Sequence, residues 1–64
     1  MYLTPKEVKV LQMIAEGNTV RQIAIEMKLS PHYIKGLKRN IYVVLDAVSA
    51  THAVAIGMRK GIIK

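Results

Sequence analysis

Ser30-Pro31-His32-Tyr33-Ile34-Lys35-Gly36-Leu37-Lys38-Arg39-Asn40-Ile41-Tyr42-Val43-Val44-Leu45 reads as one helix with two unlike faces. Ser30 can cap the free backbone N–H groups, and Pro31 tolerates only the first turn, so the start is well marked. At about 100° per residue, Ile34, Leu37, Ile41 and Leu45 fall within a sector of roughly 80°, the width of a core-facing stripe. His32, Lys35, Gly36 and Arg39 cluster on nearly the opposite side. One face is therefore expected to be buried, while the other presents two cations one turn apart with a residue lacking a side chain between them.

Working outward, the same punctuation recurs. Thr4, Pro5 and Glu7 open a first helix: Thr caps, Pro fits the first position, and Glu three residues on closes a capping box. Val8, Leu11, Ile14 and Ala15 recur at helical spacing, with Lys9, Gln12 and Glu16 opposite, until Gly17 supplies a left-handed stop. Thr19 and Gln22 repeat the box for a two-turn helix whose Ile23, Ala24 and Met27 face inward, leaving a short turn around Lys28 and Leu29. Ser49 caps a fourth helix that Gly61 terminates. Val43 and Val44 favour β structure locally but sit inside the helical pattern, and no alternating run appears elsewhere. The expected architecture is all-α, with four helices over roughly 5–16, 20–27, 31–45 and 50–60.

A chain of 64 residues and 7.2 kDa is one domain, taken here as 1–64, without room for a catalytic domain beside a regulatory one. Such a chain hides only about 60% of its unfolded surface, and with no cysteine to cross-link it, tight helix packing or oligomerisation must supply the remaining stability. The net charge of +6 is unevenly placed. Lys6, Lys9 and Arg21 are balanced by Glu7, Glu16 and Glu26, whereas Lys28, Lys35, Lys38 and Arg39 meet no acid before Asp46. A positive field on one segment attracts polyanions, with nucleic acid foremost and an anionic membrane surface the other candidate. No apolar run approaches the roughly 20 residues that span a bilayer, and no signal-peptide pattern opens the chain, so a cytoplasmic protein is expected. His32 and His52 have no metal-spaced companions, and four scattered acids do not make an acid–base pair. No metal, cofactor or catalysis is expected.

A short helix, a tight turn and a longer basic helix form the arrangement whose second helix enters the major groove of double-stranded DNA. Solvent alone would also account for Lys and Arg on a helix face; the surrounding pattern favours DNA. Arg39 has a planar fork that matches the two acceptors of a guanine edge, and Lys35 can donate to the same acceptors or to a phosphate. Gly36 costs roughly 1 kcal/mol relative to Ala in a helix, for which close approach to a base or sugar would compensate; tolerance of a weak position is the other explanation. His32 shares that face and counts as a further base contact, solvent or phosphate being its other settings. Thr19, Arg21 and the N–H groups opening the second helix would lie beside phosphates, with Lys38 and Lys28 adding to them.

The run Leu3-Thr-Pro-Lys-Glu-Val-Lys-Val-Leu11, then Ala15-Glu-Gly17, Ile23-Ala24, Leu29-Ser30, Ile34-Lys35, Asn40-Ile41-Tyr42, Leu45, Thr51, Ala53-Val54 and Gly61-Ile62-Ile63 resembles the LuxR-type, or GerE-like, helix-turn-helix domain of bacterial transcription regulators. The first half is shared in part with the promoter-reading domain of sigma factors; Thr51, Ala53 and Val54 favour the LuxR type. The resemblance implies a homodimer paired through the fourth helix that reads an inverted repeat with the third. It implies base contacts from Lys35, Gly36 and Arg39, and backbone contacts from Thr19, Val20, Tyr33 and Lys38. The chain departs from the family pattern at Lys28 and Asp46, where Gly is frequent, at Tyr33 for Thr, at Leu37 for His, and at Val43 and Val44 for basic residues. A left-handed Lys28 would cost roughly 1 to 2 kcal/mol.

On the fourth helix, Ala50, Ala53, Val54 and Gly57 form a small-residue stripe that the first helix could cover within the chain. Ala55, Ile56 and Met58 add more apolar surface than one contact covers, so a dimer interface of Ala50, Ala53, Val54, Ile56, Gly57 and Met58 is expected. Val43 is expected to pack under the loop before that helix; exposed, it would serve another protein. The second functional reading is accordingly a small interaction module that binds a regulatory protein through helix four or the Val43 region. Met1 stands so close to the first cap that no sensor domain is expected ahead of it, which would leave control to abundance, a partner chain or promoter competition.

Overall fold

The computed structural model describes residues 2–64 and contains four helices: α1 (Pro5–Ala15), α2 (Val20–Met27), α3 (Pro31–Leu45) and α4 (Ala50–Arg59), with no strand among the described residues. The ends of α1 and α4 fall one residue short of expectation. Each start is the capping residue read from the sequence. Thr4 and Thr19 form reciprocal boxes with Glu7 and Gln22, and Ser30 and Ser49 accept from the Tyr33 and His52 backbones. The His52 Nδ1 accepts from the Val48 N–H at 3.1 Å, one residue before the cap, so it ties down the entering chain without closing a capping box.

All four helices stop in one way. A left-handed residue, Gly17, Lys28, Asp46 or Gly61, ends the last turn. The next N–H then bonds back five residues, from Asn18 to Met13, Leu29 to Ala24, Ala47 to Tyr42 and Ile62 to Gly57. Gly adopts this conformation freely, but Lys28 (φ 59°) and Asp46 (φ 55°) carry a Cβ into it. Asp46→Gly is therefore expected to raise stability by about 1 kcal/mol, lifting the melting temperature by about 4–8 °C. An unchanged thermal melt would mean that Asp46 bears no strain.

The core is aliphatic. Ile34, Ile41 and Leu45 of α3 meet Val10 and Leu11 of α1, Ile23 and Ala24 of α2, and Ala53 and Ile56 of α4, with Ile63 closing the end. Burial of each large side chain contributes roughly 1.5–3 kcal/mol. α3 is the shared element, packing against all three other helices. On α1 the buried face is centred differently from expectation: Val10 and Leu11 are fully buried, and Val8, Ile14 and Ala15 only flank them. Glu7 shares that face: it is 4% exposed, its Oε1 accepts from the Thr4 N–H at 2.9 Å, and its other oxygen accepts from the Asn40 amide, tying the buried face of α1 to α3.

α4 leaves α3 at 55° and lies over α1. Gly57 lets it come close, since a Cβ there would stand 2.9 Å from Leu11 and 3.1 Å from Ile63. This corrects part of the expected dimer contact. Ala53, Ile56 and Gly57 are buried against the chain's own α1 and C-terminal segment, because the small-residue stripe is the side that lets two helices approach within one chain. Met58 is exposed beside Thr51 and Ala55, while Ala50 and Val54 are half-buried, Val54 packing against the edge of the core. Val43 is also corrected. It is 68% exposed, because it lies on the outward side of α3 with His32, Gly36 and Arg39, opposite the buried face of that helix.

Candidate nucleic-acid interface

Capped at one end by Ser30 and held along its length by Ile34, Ile41 and Leu45, α3 has three outward sectors. The outermost strip carries His32, Gly36, Arg39 and Val43, all exposed. The flank toward α2 carries Lys35, Lys38 and Tyr42, which with Arg39 and Val20 line a shallow depression of about 370 Å³. The flank toward α1 carries Asn40, bonded to Glu7, and Tyr33, whose ring lies 5.4 Å beneath the Lys6 ammonium. The cationic side chains expected on one face thus do share one surface.

Beside it, the Thr19 hydroxyl accepts from the Gln22 N–H at 3.1 Å and the Gln22 side chain accepts from the Thr19 N–H at 2.8 Å. Those bonds occupy two donors of the first turn and leave the N–H groups of Val20 and Arg21 without helical acceptors. Thr19 and Arg21 are exposed, and Val20 reaches into the depression shared with α3. Lys28 projects from the three-residue turn between α2 and α3. No acid lies between Lys28 and Leu45, so four cations act on this surface undiluted by their own helix. Glu7, the carboxylate that α1 brings nearest, is committed to Thr4 and Asn40.

Two residues of this surface carried no local signal. Lys6 belongs to a segment whose charges cancel, and only the packing of α1 on α3 sets it over Tyr33. Asn40 is bonded to Glu7, a partner 33 residues away.

Residues 1–56 match the family described as bacterial regulatory proteins, luxR family. The chain belongs to that family. Among curated relatives, the LuxR-type domain is 44% identical over 61 residues to the transcriptional regulatory protein YdfI of Bacillus subtilis (strain 168), covering 95% of this chain and 29% of that protein. It is 37% identical over 62 residues to the HTH-type transcriptional regulator AlkS of Pseudomonas putida, covering 97% of this chain and 7% of that one. The domain thus spans less than a third of the length of these relatives. Its backbone superimposes on the response regulator ChrA of a heme-sensing two-component system with a TM-score of 0.94 at 25% identity, over 98% of this chain and 31% of that one. Among the described residues, no single helix is long and apolar enough to cross a membrane.

Proposed function

We propose that this domain binds double-stranded DNA sequence-specifically as a transcription regulator in the cytoplasm, with α3 in the major groove. The observation that carries the reading is the basic, acid-free outer surface of α3, held out from a frame that buries its opposite face. Lys35, Gly36, Arg39 and His32 are the base-reading set. Thr19, Val20, Arg21, Lys28, Tyr33 and Lys38 hold the backbone, the free N–H groups opening α2 being suited to a phosphate. Lys28 keeps its left-handed strain while offering a charge there, so Lys28→Gly would exchange phosphate attraction for fold stability.

The regulator acts as a homodimer on an inverted repeat, pairing through the surface stripe Ala50, Thr51, Val54, Ala55 and Met58 of α4. Two copies of α3 then sit about 34 Å apart, one turn of DNA. Selection of bound duplexes from a random pool, with the oligomeric state read by sedimentation, tests this directly. A palindromic consensus whose affinity falls steeply with salt is expected. A domain that retains no DNA at low salt would end the reading.

Gly36 gives a sharper check. A Cβ there meets nothing within 4 Å in the free chain, so Gly36→Ala is expected to stabilise the fold by about 1 kcal/mol through helix propensity. If α3 approaches the bases closely, the same methyl weakens DNA binding about fivefold. Unchanged affinity in a stabilised variant would remove the close approach.

Val43 at 68% and Val48 at 88% exposure favour a second reading, in which an apolar end of α3 docks a regulatory protein. The salt-dependent retention of DNA separates the two.

A further inference from the structure

Around α3, the residues fall in order. Lys35, Lys38 and Tyr42 lie toward α2, His32, Gly36 and Arg39 point outward, and Tyr33 and Asn40 lie toward α1. A helix with its side chains is about 10–12 Å across and the major groove about 12 Å wide, so a helix seated by its outer strip faces a phosphate wall on each flank. α2 serves one wall with Thr19 and Arg21, joined by Lys38 from the flank of α3 beside it. The other wall faces α1, and there the structure sets a cation on an aromatic ring.

We propose that Lys6 and Tyr33 form a phosphate-binding pair for the groove wall opposite the one that α2 meets, a contact to the second DNA strand. This deepens the DNA-binding reading and rests on it. Tyr33 stands 45% exposed in the first turn of α3, an uncommon setting for a large ring that nothing in the core needs. Its face holds the Lys6 ammonium at 5.4 Å, an attraction between the cation and the ring quadrupole. Held this way, the lysine loses less freedom on meeting a phosphate than a lysine swinging in water. The ammonium keeps N–H groups turned from the ring, and the phenol adds an O–H donor beside them. Both residues are exposed, one from each helix, and the backbones that carry them are held together by the α1–α3 packing and the Glu7–Asn40 bond.

The test uses the salt dependence of binding to a fluorescein-labelled random-sequence duplex, read by anisotropy. Each phosphate neutralised contributes about 0.9 to the slope of log affinity against log salt. Lys6→Gln is expected to flatten the slope by about 0.9, so that a fourfold rise in salt weakens it about 3.5-fold less than the parent. Lys6→Arg should keep the parent slope, and Tyr33→Ala should follow Lys6→Gln. Lys60→Gln removes the same charge from the other flank of α1, where Lys60 shares a groove with Val8, and should change the slope far less. Phosphate-ethylation interference on a selected site should show the parent contacting both strands across the groove, with one set lost in Lys6→Gln. Lys6→Gln matching the parent or Lys60→Gln, or ethylation marks confined to the α2 wall, overturns the pair and leaves DNA binding standing. A parent chain without salt-dependent binding brings down both.

Discussion

Asn40→Ala is expected to destabilise the fold by about 2 kcal/mol, although Asn40 is a surface residue and contributes nothing to the apolar core. Its amide is the donor that α3 offers to the Glu7 carboxylate, and Glu7 is 4% exposed. Hydrogen bonds to charged groups contribute about 1.5–3 kcal/mol, and a buried carboxylate that loses one keeps its desolvation cost. A chain of 64 residues has in total only about 3–10 kcal/mol, so the melting temperature should drop by about 8–16 °C. The double variant with Glu7→Ala should lose less than the sum of the single losses, because each removes the same contact.

The same bridge sets an acid limit. Burial pushes the Glu7 carboxyl up, but the Thr4 backbone N–H, the Asn40 amide and the Thr4 hydroxyl outweigh it and hold the carboxyl below the ordinary range. A group whose pKa is lower folded than unfolded stabilises fully above its unfolded value, and that contribution is lost as pH falls through the folded one. The Asn40→Ala penalty should therefore be full near neutrality and shrink only as pH falls beneath the ordinary glutamate range and through the lowered folded value of Glu7. A penalty equal at both ends would show that the charge on Glu7 does not matter.

Glu7 also marks where local reading stops. Its place in the capping box follows from Thr4 three residues earlier, as the starts of all four helices follow from Thr19, Ser30 and Ser49. Its burial does not, because the partner is 33 positions away and nothing in Thr-Pro-Lys-Glu distinguishes an exposed cap from a bridging one. Val10 is buried on the same face as that bridge, and the local pattern of α1 does not single it out either. On α4 the difficulty was different: apolar residues run round the whole helix, so periodicity alone could not say that Ala53, Ile56 and Gly57 turn inward while Val54 stays half-buried and Met58 exposed. α3 was legible throughout its length since its apolar and basic sectors are disjoint, and only Val43, apolar on the basic side, was misjudged. The cationic surface of α3 could be read from that helix alone; that Lys6 joins it over Tyr33 required the tertiary contact.

The division of labour along α3 makes the second large prediction. Arg39 sits on the outer strip, where a planar fork can meet both acceptors of a guanine; Lys38 sits half-buried on the α2 flank, nearer a phosphate wall than the bases. Arg39→Ala is expected to weaken binding to a selected site by about 1–3 kcal/mol, to relax preference at one base position per half-site, and to act much less on random-sequence DNA. Lys38→Ala should weaken selected and random duplexes alike and flatten the salt slope by about 0.9. Titration of both variants against both duplexes over a salt series distinguishes the roles. If the two substitutions behave identically, α3 is a cationic rod held near DNA rather than a reader of its sequence. The specificity would then have to come from shape, since the only fork on the outer strip would have no base to meet.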